Sequence, residues 1–131
     1  MYNFSNISLE RLSTCHSDLQ LILYKLINFI DFSVVCGTRN EEDQTKAYNS
    51  GHSKVQYPNS RHNTNPSLAV DIIPYPTGWK KKENFYYIAG MVKAIAIENG
   101  IRIRWGGDWD GDNDFTDQRF NDLAHFELIK E

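Results

Sequence analysis

His125-Phe126-Glu127-Leu128-Ile129 alternates polar and apolar side chains, and Leu123-Ala124 leads into it in the same register. A strand with a period of two puts Leu123, His125 and Glu127 on one face and Ala124, Phe126 and Leu128 on the other. Phe126 and Leu128 belong to a core, so His125 is turned to the opposite side. Ala69-Val70-Asp71-Ile72-Ile73 poses the same problem, an acid inside a strand-forming apolar run. A bare buried carboxylate is costly unless it is paired, hydrogen-bonded or on a metal. Taken singly, each residue has an ordinary explanation: Asp71 on a half-exposed strand, His125 as a satisfied core histidine. Taken together, they can share one face of a sheet.

The rest of the chain supplies the layers around those strands. A helix is expected from about Leu9 to Phe29, capped by Ser8, with Leu12, Leu19, Leu23, Leu26 and Ile30 at helical spacing. Phe32 to Cys36 reads as a strand. Asn40 ahead of Glu41, Glu42 and Asp43 opens a helix to about Ser50, closed by Gly51. Gly51 to Leu68 reads as a long loop, of the kind that often carries function. Asn84 to Asn99 is a further helix stopped by Gly100, and Ile101 to Trp105 alternates as a half-buried strand. A short helical turn is expected from Thr116. The expected fold is α+β: a small antiparallel sheet with helices on one face and a groove on the other.

With 131 residues, the chain is expected to form a single domain over 1–131, without a second one. Net charge is −3, with 14 Lys and Arg against 17 Asp and Glu, so the cation surplus that nucleic-acid binding needs is missing. No apolar run is long enough to span a bilayer, and Met1 to Ser8 has neither the basic nor the apolar region of a secretory signal. Cys15 and Cys36 make no disulfide framework and read as two buried thiols of a reducing compartment. His16 and His52 read as surface residues, Trp105 as core, and Phe85, Tyr86 and Tyr87 mostly as packing.

His62, in the loop before Asp71, can reach the same place as Asp71 and His125. Two histidines and one carboxylate with an open position are the ligand set of a catalytic zinc. The order also suits a non-haem iron triad, but the nine-residue interval from His62 to Asp71 argues against a pair presented by one short strand. A zinc hydrolase needs a base beside its water, and Asp122 is a candidate. On a straight strand Asp122 and His125 point to opposite faces, so that role requires a turn between them. No His-Glu-x-x-His or Gly-x-Ser-x-Gly motif is present.

The ordered set Cys36-Gly37-Thr38-Arg39 with Gln44, Ser60-Arg61-His62, Ala69-Val70-Asp71, Trp105-Gly106-Gly107-Asp108-Trp109 and Asp122-Leu123-Ala124-His125-Phe126 spans nearly the whole chain. It resembles the zinc D-alanyl-D-alanine carboxypeptidase superfamily, in particular its L-alanyl-D-glutamate endopeptidases from bacteriophage lysis cassettes. The resemblance implies zinc held by His62, Asp71 and His125, with Asp122 as general base and acid. It places Arg39 near the scissile carbonyl or a substrate carboxylate. Ser60 would bind substrate or support the metal ligands, and Trp109 would line a substrate groove. The family interval from His to Asp is seven; here Asn65-Pro66 is an insertion and Ser67 stands at the Gly position.

The implied protein is a monomeric peptidoglycan endopeptidase cutting the L-Ala–D-Glu bond of the stem peptide. A phage endolysin made in the host cytoplasm, and reaching the wall after a separate protein permeabilises the membrane, fits the missing signal. Rivals are a D-alanyl-D-alanine carboxypeptidase or dipeptidase, and a non-catalytic zinc-containing wall-binding module like the hedgehog signalling domain. Asp108, Asp110, Asp112 and Asp114 resemble the oxygen-rich start of a calcium loop, although the EF-hand spacing fails. Calcium there is a second expected cofactor, able to order the loop that precedes Asp122 and His125.

Overall fold

The computed structural model describes residues 2–114 and 121–129. Four strands, β1 (Phe32–Cys36), β2 (Ala69–Pro74), β3 (Ile103–Gly106) and β4 (Asp122–Leu128), form an antiparallel sheet in the order β1-β2-β4-β3. Helices α1 (Asn6–Leu12), α2 (Ser17–Leu26) and α4 (Lys82–Glu98) contribute one side of the core, and α3 (Glu41–Asn49) follows β1. Leu12, Leu19, Ile22, Leu23, Leu26, Ile88 and Val92 pack with Val34, Val70, Ile72, Phe126 and Leu128. Burying each such side chain contributes about 1.5–3 kcal/mol, so this layer fixes the sheet against the helices. No helix of the described residues is long and apolar enough to cross a membrane.

The long first helix expected from Leu9 to Phe29 is two helices. Ser13 and Thr14 turn their hydroxyls back onto the carbonyls of Glu10 and Arg11, and Cys15 bridges to Ser67 in parallel. His16 then starts α2, its Nδ1 accepting from the Asp18 N–H at 3.0 Å. Tertiary pairing overrides the helical period here. The cap of α1 is Ser5 rather than Ser8; Ser8 is buried and its hydroxyl accepts from the Val34 N–H at 3.0 Å. Asn40 caps α3 as its sequence implies, accepting from Asp43 N–H at 2.8 Å. β4 starts at Asp122, earlier than the alternation from His125 indicates, and β3 at Ile103 rather than Ile101. The turn expected from Thr116 lies outside the described residues.

Two irregularities in the ladders shape the site. Cys36 pairs with Asp71 after a register shift from Val34, and Gly106 pairs with Asp122 while Trp105 pairs with Phe126. The second shift is a bulge in β4 that redirects the chain between Asp122 and His125. Gly106 makes it feasible: a Cβ there would stand 2.1 Å from the Asp122 carbonyl oxygen.

Candidate metal centre and cleft

β2 and β4 are neighbours, and Asp71 lies directly opposite His125 in their register. His62 arrives from a 3-10 turn, Arg61–Asn63. Ser60 caps that turn, its hydroxyl accepting from His62 N–H at 3.1 Å, while the Asn63 side chain accepts from Ser60 N–H at 2.9 Å. The Arg39 N–H donates to the His62 carbonyl at 2.7 Å, tying the turn to the segment after β1. The Ser60 hydroxyl is thus engaged in holding the His62 turn.

The three side chains converge on one point. His62 Nε2 is 3.2 Å from Asp71 Oδ1 and 3.3 Å from His125 Nδ1, and His125 Nδ1 is 3.1 Å from Asp71 Oδ1. A tetrahedral ion with bonds of about 2.0–2.1 Å has its ligand atoms about 3.3–3.4 Å apart. The donor set therefore fits such an ion, with one face left open. Tautomers follow from the other ring nitrogens. His62 Nδ1 donates to the Gly37 carbonyl at 2.7 Å, leaving Nε2 for the metal. His125 Nε2 donates to Glu127 Oε1 at 2.8 Å, leaving Nδ1.

The charges of the cluster also set one another's protonation. Burial alone would lower the imidazole of His62, but the Asp71 charge and hydrogen bonds raise it to about 10. His125 is likewise raised, to about 9, by its bonds to Asp71 and Glu127 against the cost of burial. Asp71 overcomes burial through the two histidines and lies far below the usual carboxylate range. Its other oxygen, Oδ2, receives Arg39 at 3.5 Å, and Arg39 also bonds Gln44 Oε1 at 3.0 Å. The surface ion pair of Arg39 with Glu42 or Asp43 that its sequence context allows is not seen; Glu42 pairs with Lys46.

Asp122 has a carboxylate oxygen within 4.8 Å of the ligand atoms of Asp71 and His125. The bulge in β4 supplies the turn that this position requires. Burial and the nearby Asp71 charge raise its pKa, which strengthens it as a base. A cavity of about 390 Å³ opens over the cluster, lined by Arg39, Ser60, Trp109, Asp122 and, around its rim, Lys54, Arg61 and Arg104. The Trp109 ring lies 5.4 Å from that of His125.

Three features were not legible in advance. Glu127 is buried beside His125 and held by Arg61 at 3.5 Å and Arg104 at 3.6 Å; the alternation already placed it on the His125 face. Cys36 is half-buried rather than buried, with Sγ 3.8 Å from His62 Nδ1. Its Sγ lies within 4.8 Å of a ligand atom of His62 and of Asp71, so these three also form a group able to hold a metal ion. His52, exposed and bonded through Nδ1 to Ser50, lines the cleft. The Asn65-Pro66 insertion is exposed, while Ser67 is buried with its hydroxyl on the Ala69 carbonyl at 2.6 Å. The extra residues bulge outward and leave the ligands in place.

In the acidic loop, carboxylate oxygens of Asp108, Asp110 and Asp112 lie within 4.8 Å of one another, without Asp114 in the group. Asp108 is buried, and its Oδ1 has no hydrogen-bond partner among the described residues. The convergence accommodates a cation, and nothing in it selects calcium.

Comparison with known proteins agrees with this architecture. The crystal structure of the Serratia marcescens L-Ala D-Glu endopeptidase ChiX is similar with a TM-score of 0.75 and 29% identity, covering 96% of this chain and 89% of that one. The L-alanyl-D-glutamate peptidase of Escherichia phage T5 is 28% identical over 137 aligned positions, 98% of each protein. The family described as phage L-alanyl-D-glutamate peptidase matches residues 1–129. With the four-stranded sheet, its helices and all three converging side chains inside that match, the chain belongs to the phage L-alanyl-D-glutamate peptidase family.

Proposed function

We propose that the protein is a zinc-dependent peptidoglycan endopeptidase that hydrolyses the L-Ala–D-Glu bond of the stem peptide, acting as a monomer through one catalytic domain. The observation that carries the reading is the triangle of His62 Nε2, Asp71 Oδ1 and His125 Nδ1, with sides of 3.1–3.3 Å, beside Asp122 in an open cleft. Family membership supports the bond assigned.

His62, Asp71 and His125 would hold a zinc ion, which when bound would supply Lewis-acid polarisation of the scissile carbonyl and a water of lowered pKa. Asp122 takes the proton of the attacking water and delivers it to the leaving amine of D-Glu. Gln44 and Asp71 engage two of the five donors of Arg39. Its guanidinium both steadies Asp71 and faces the cleft, where it stabilises developing negative charge. Ser60 keeps His62 in position, and Trp109 walls the groove.

In biological terms this is a phage endolysin, made in the host cytoplasm and acting on the wall once a separate protein has opened the membrane. A cation held by Asp108, Asp110 and Asp112, with calcium as the ion to test, is a second part of the reading; the convergence of these three carboxylates supports a cation there. Equal activity with and without calcium, after chelation and zinc restoration, removes that part.

Mass spectrometry of Gram-negative sacculi digested by the zinc-loaded protein, against a chelated control, tests the main reading. Fragments separated between L-Ala and D-Glu are expected. Release of D-Ala alone makes it a carboxypeptidase, and no metal-dependent product from protein shown to hold zinc makes it a binding module.

A further inference from the structure

A second cavity, of about 310 Å³, adjoins the cleft; His52 and Asp122 line both. The two differ in chemistry. The cleft presents four cations, Arg39, Lys54, Arg61 and Arg104, against the acids Asp122 and Glu127, whereas the second cavity is walled by Trp79, Phe85 and Leu123, with Lys82 at its edge. Trp79 is 63% exposed, and its indole offers the cavity a large apolar face. It stacks on the buried Phe85 ring at 5.6 Å and 27°.

The turn that carries Trp79 is braced. Gly78 N–H donates to the Pro74 carbonyl at 2.8 Å, Lys80 N–H to Thr77 at 3.2 Å, and the Asn84 side chain to the Thr77 hydroxyl at 3.1 Å. Gly78 has φ +58°, which a side chain would resist. The indole is therefore held ready at the end of β2, the strand that carries Asp71.

The substrate has the matching asymmetry. On the amine side of the scissile bond, D-Glu and the residues after it carry free carboxylates. On the acyl side, L-Ala is linked through a lactyl group to an N-acetylated sugar, whose C–H faces suit the negative face of an aromatic ring. We propose that the Trp79 cavity is the subsite for the N-acetylmuramoyl sugar, and that the basic cleft receives the D-Glu side. This fixes the direction in which the stem peptide crosses Asp122, and it rests on the endopeptidase reading above.

The test compares two synthetic substrates with the zinc-loaded protein: an N-acetylmuramoyl-L-Ala-D-Glu peptide and the N-acetyl-L-Ala-D-Glu peptide without the sugar. Trp79→Ala is expected to lower the ratio of kcat/KM for the sugar-bearing over the sugar-free substrate about tenfold, mainly through KM. Trp79→Phe, which keeps an aromatic face, is expected to restore most of it. Equal effects on both substrates, or a ratio unchanged in both variants, overturn the subsite. Failure of the native protein to cut either substrate at the L-Ala–D-Glu bond overturns the endopeptidase reading instead. Circular dichroism confirms that each variant is folded before kinetics are compared.

Discussion

Glu127 Oε1 lies 2.8 Å from His125 Nε2, at the ring nitrogen opposite the one that meets Asp71. It overcomes burial through that bond and through Arg104 and Arg61, so it stays ionised below the usual glutamate range. The acid fixes the tautomer and orientation of His125, the proposed metal ligand. Glu127→Ala should weaken zinc binding by about 10–100-fold, the usual cost of losing such a partner. Glu127→Gln, which still offers an acceptor oxygen, should lose less. Competition with a chromophoric chelator reads both, and native affinity in Glu127→Ala would dismiss the role.

Asp122 is separable from metal binding. Asp122→Asn keeps the shape of the side chain and removes its ability to take a proton. It should lower kcat by roughly 10²–10⁴-fold, the range of general acid–base catalysis, while the protein still holds one zinc. Kinetics and atomic absorption on the same preparation test both halves, and undiminished turnover would take Asp122 out of the mechanism.

Metal removal should expose a pH dependence with a definite sign. In the metal-free protein His62 and His125 are raised from 6.5 to about 10 and about 9. Their contribution to stability is full below pH 6.5 and is lost as pH rises through 9 to 10. Asp71 is depressed, so its contribution holds above its ordinary 3.8 and fades as pH falls below it. Zinc needs the imidazoles without those protons. The gap in Tm between zinc-loaded and chelated protein should therefore widen from pH 6.5 to 9, with protons released on binding at pH 7. A constant gap, or no proton release in calorimetry across buffers, contradicts this.

Gly106→Ala should damage the site from a distance. The added methyl meets the Asp122 carbonyl at 2.1 Å, so the bulge must open. A cost of about 1–3 kcal/mol is expected, with kcat falling more than zinc affinity because Asp122 moves before His62 or Asp71. Denaturant titration, kinetics and metal affinity on the same preparation decide it; an unchanged bulge would leave all three at native values.

The strands that carry Asp71 and His125 were legible because period-two alternation isolates one polar residue among apolar neighbours. Local capping was legible at Asn40 for the same reason, since the signal lies within four residues. The break after Leu12 was not, because it depends on Cys15 meeting Ser67, fifty-two positions away along the chain. The Asp122 geometry was legible only as a requirement: sequence demanded a turn, and the mismatch between Trp105–Phe126 and Gly106–Asp122 provides it. Glu127 needed Arg61 and Arg104 beside it to be distinguished from any surface acid on an alternating strand.

The sheet order β1-β2-β4-β3 has a consequence for how the molecule breathes. The strands bearing Asp71 and His125 are the two interior ones, each hydrogen-bonded on both sides, while β1 and β3 form the margins. Fraying begins where backbone pairing is one-sided. Amide exchange should reach Ser33 and Arg104 before it reaches Val70 and Phe126, so the ligand pair survives excursions that loosen the sheet around it. The proposed metal site is anchored in the part of the fold that opens last.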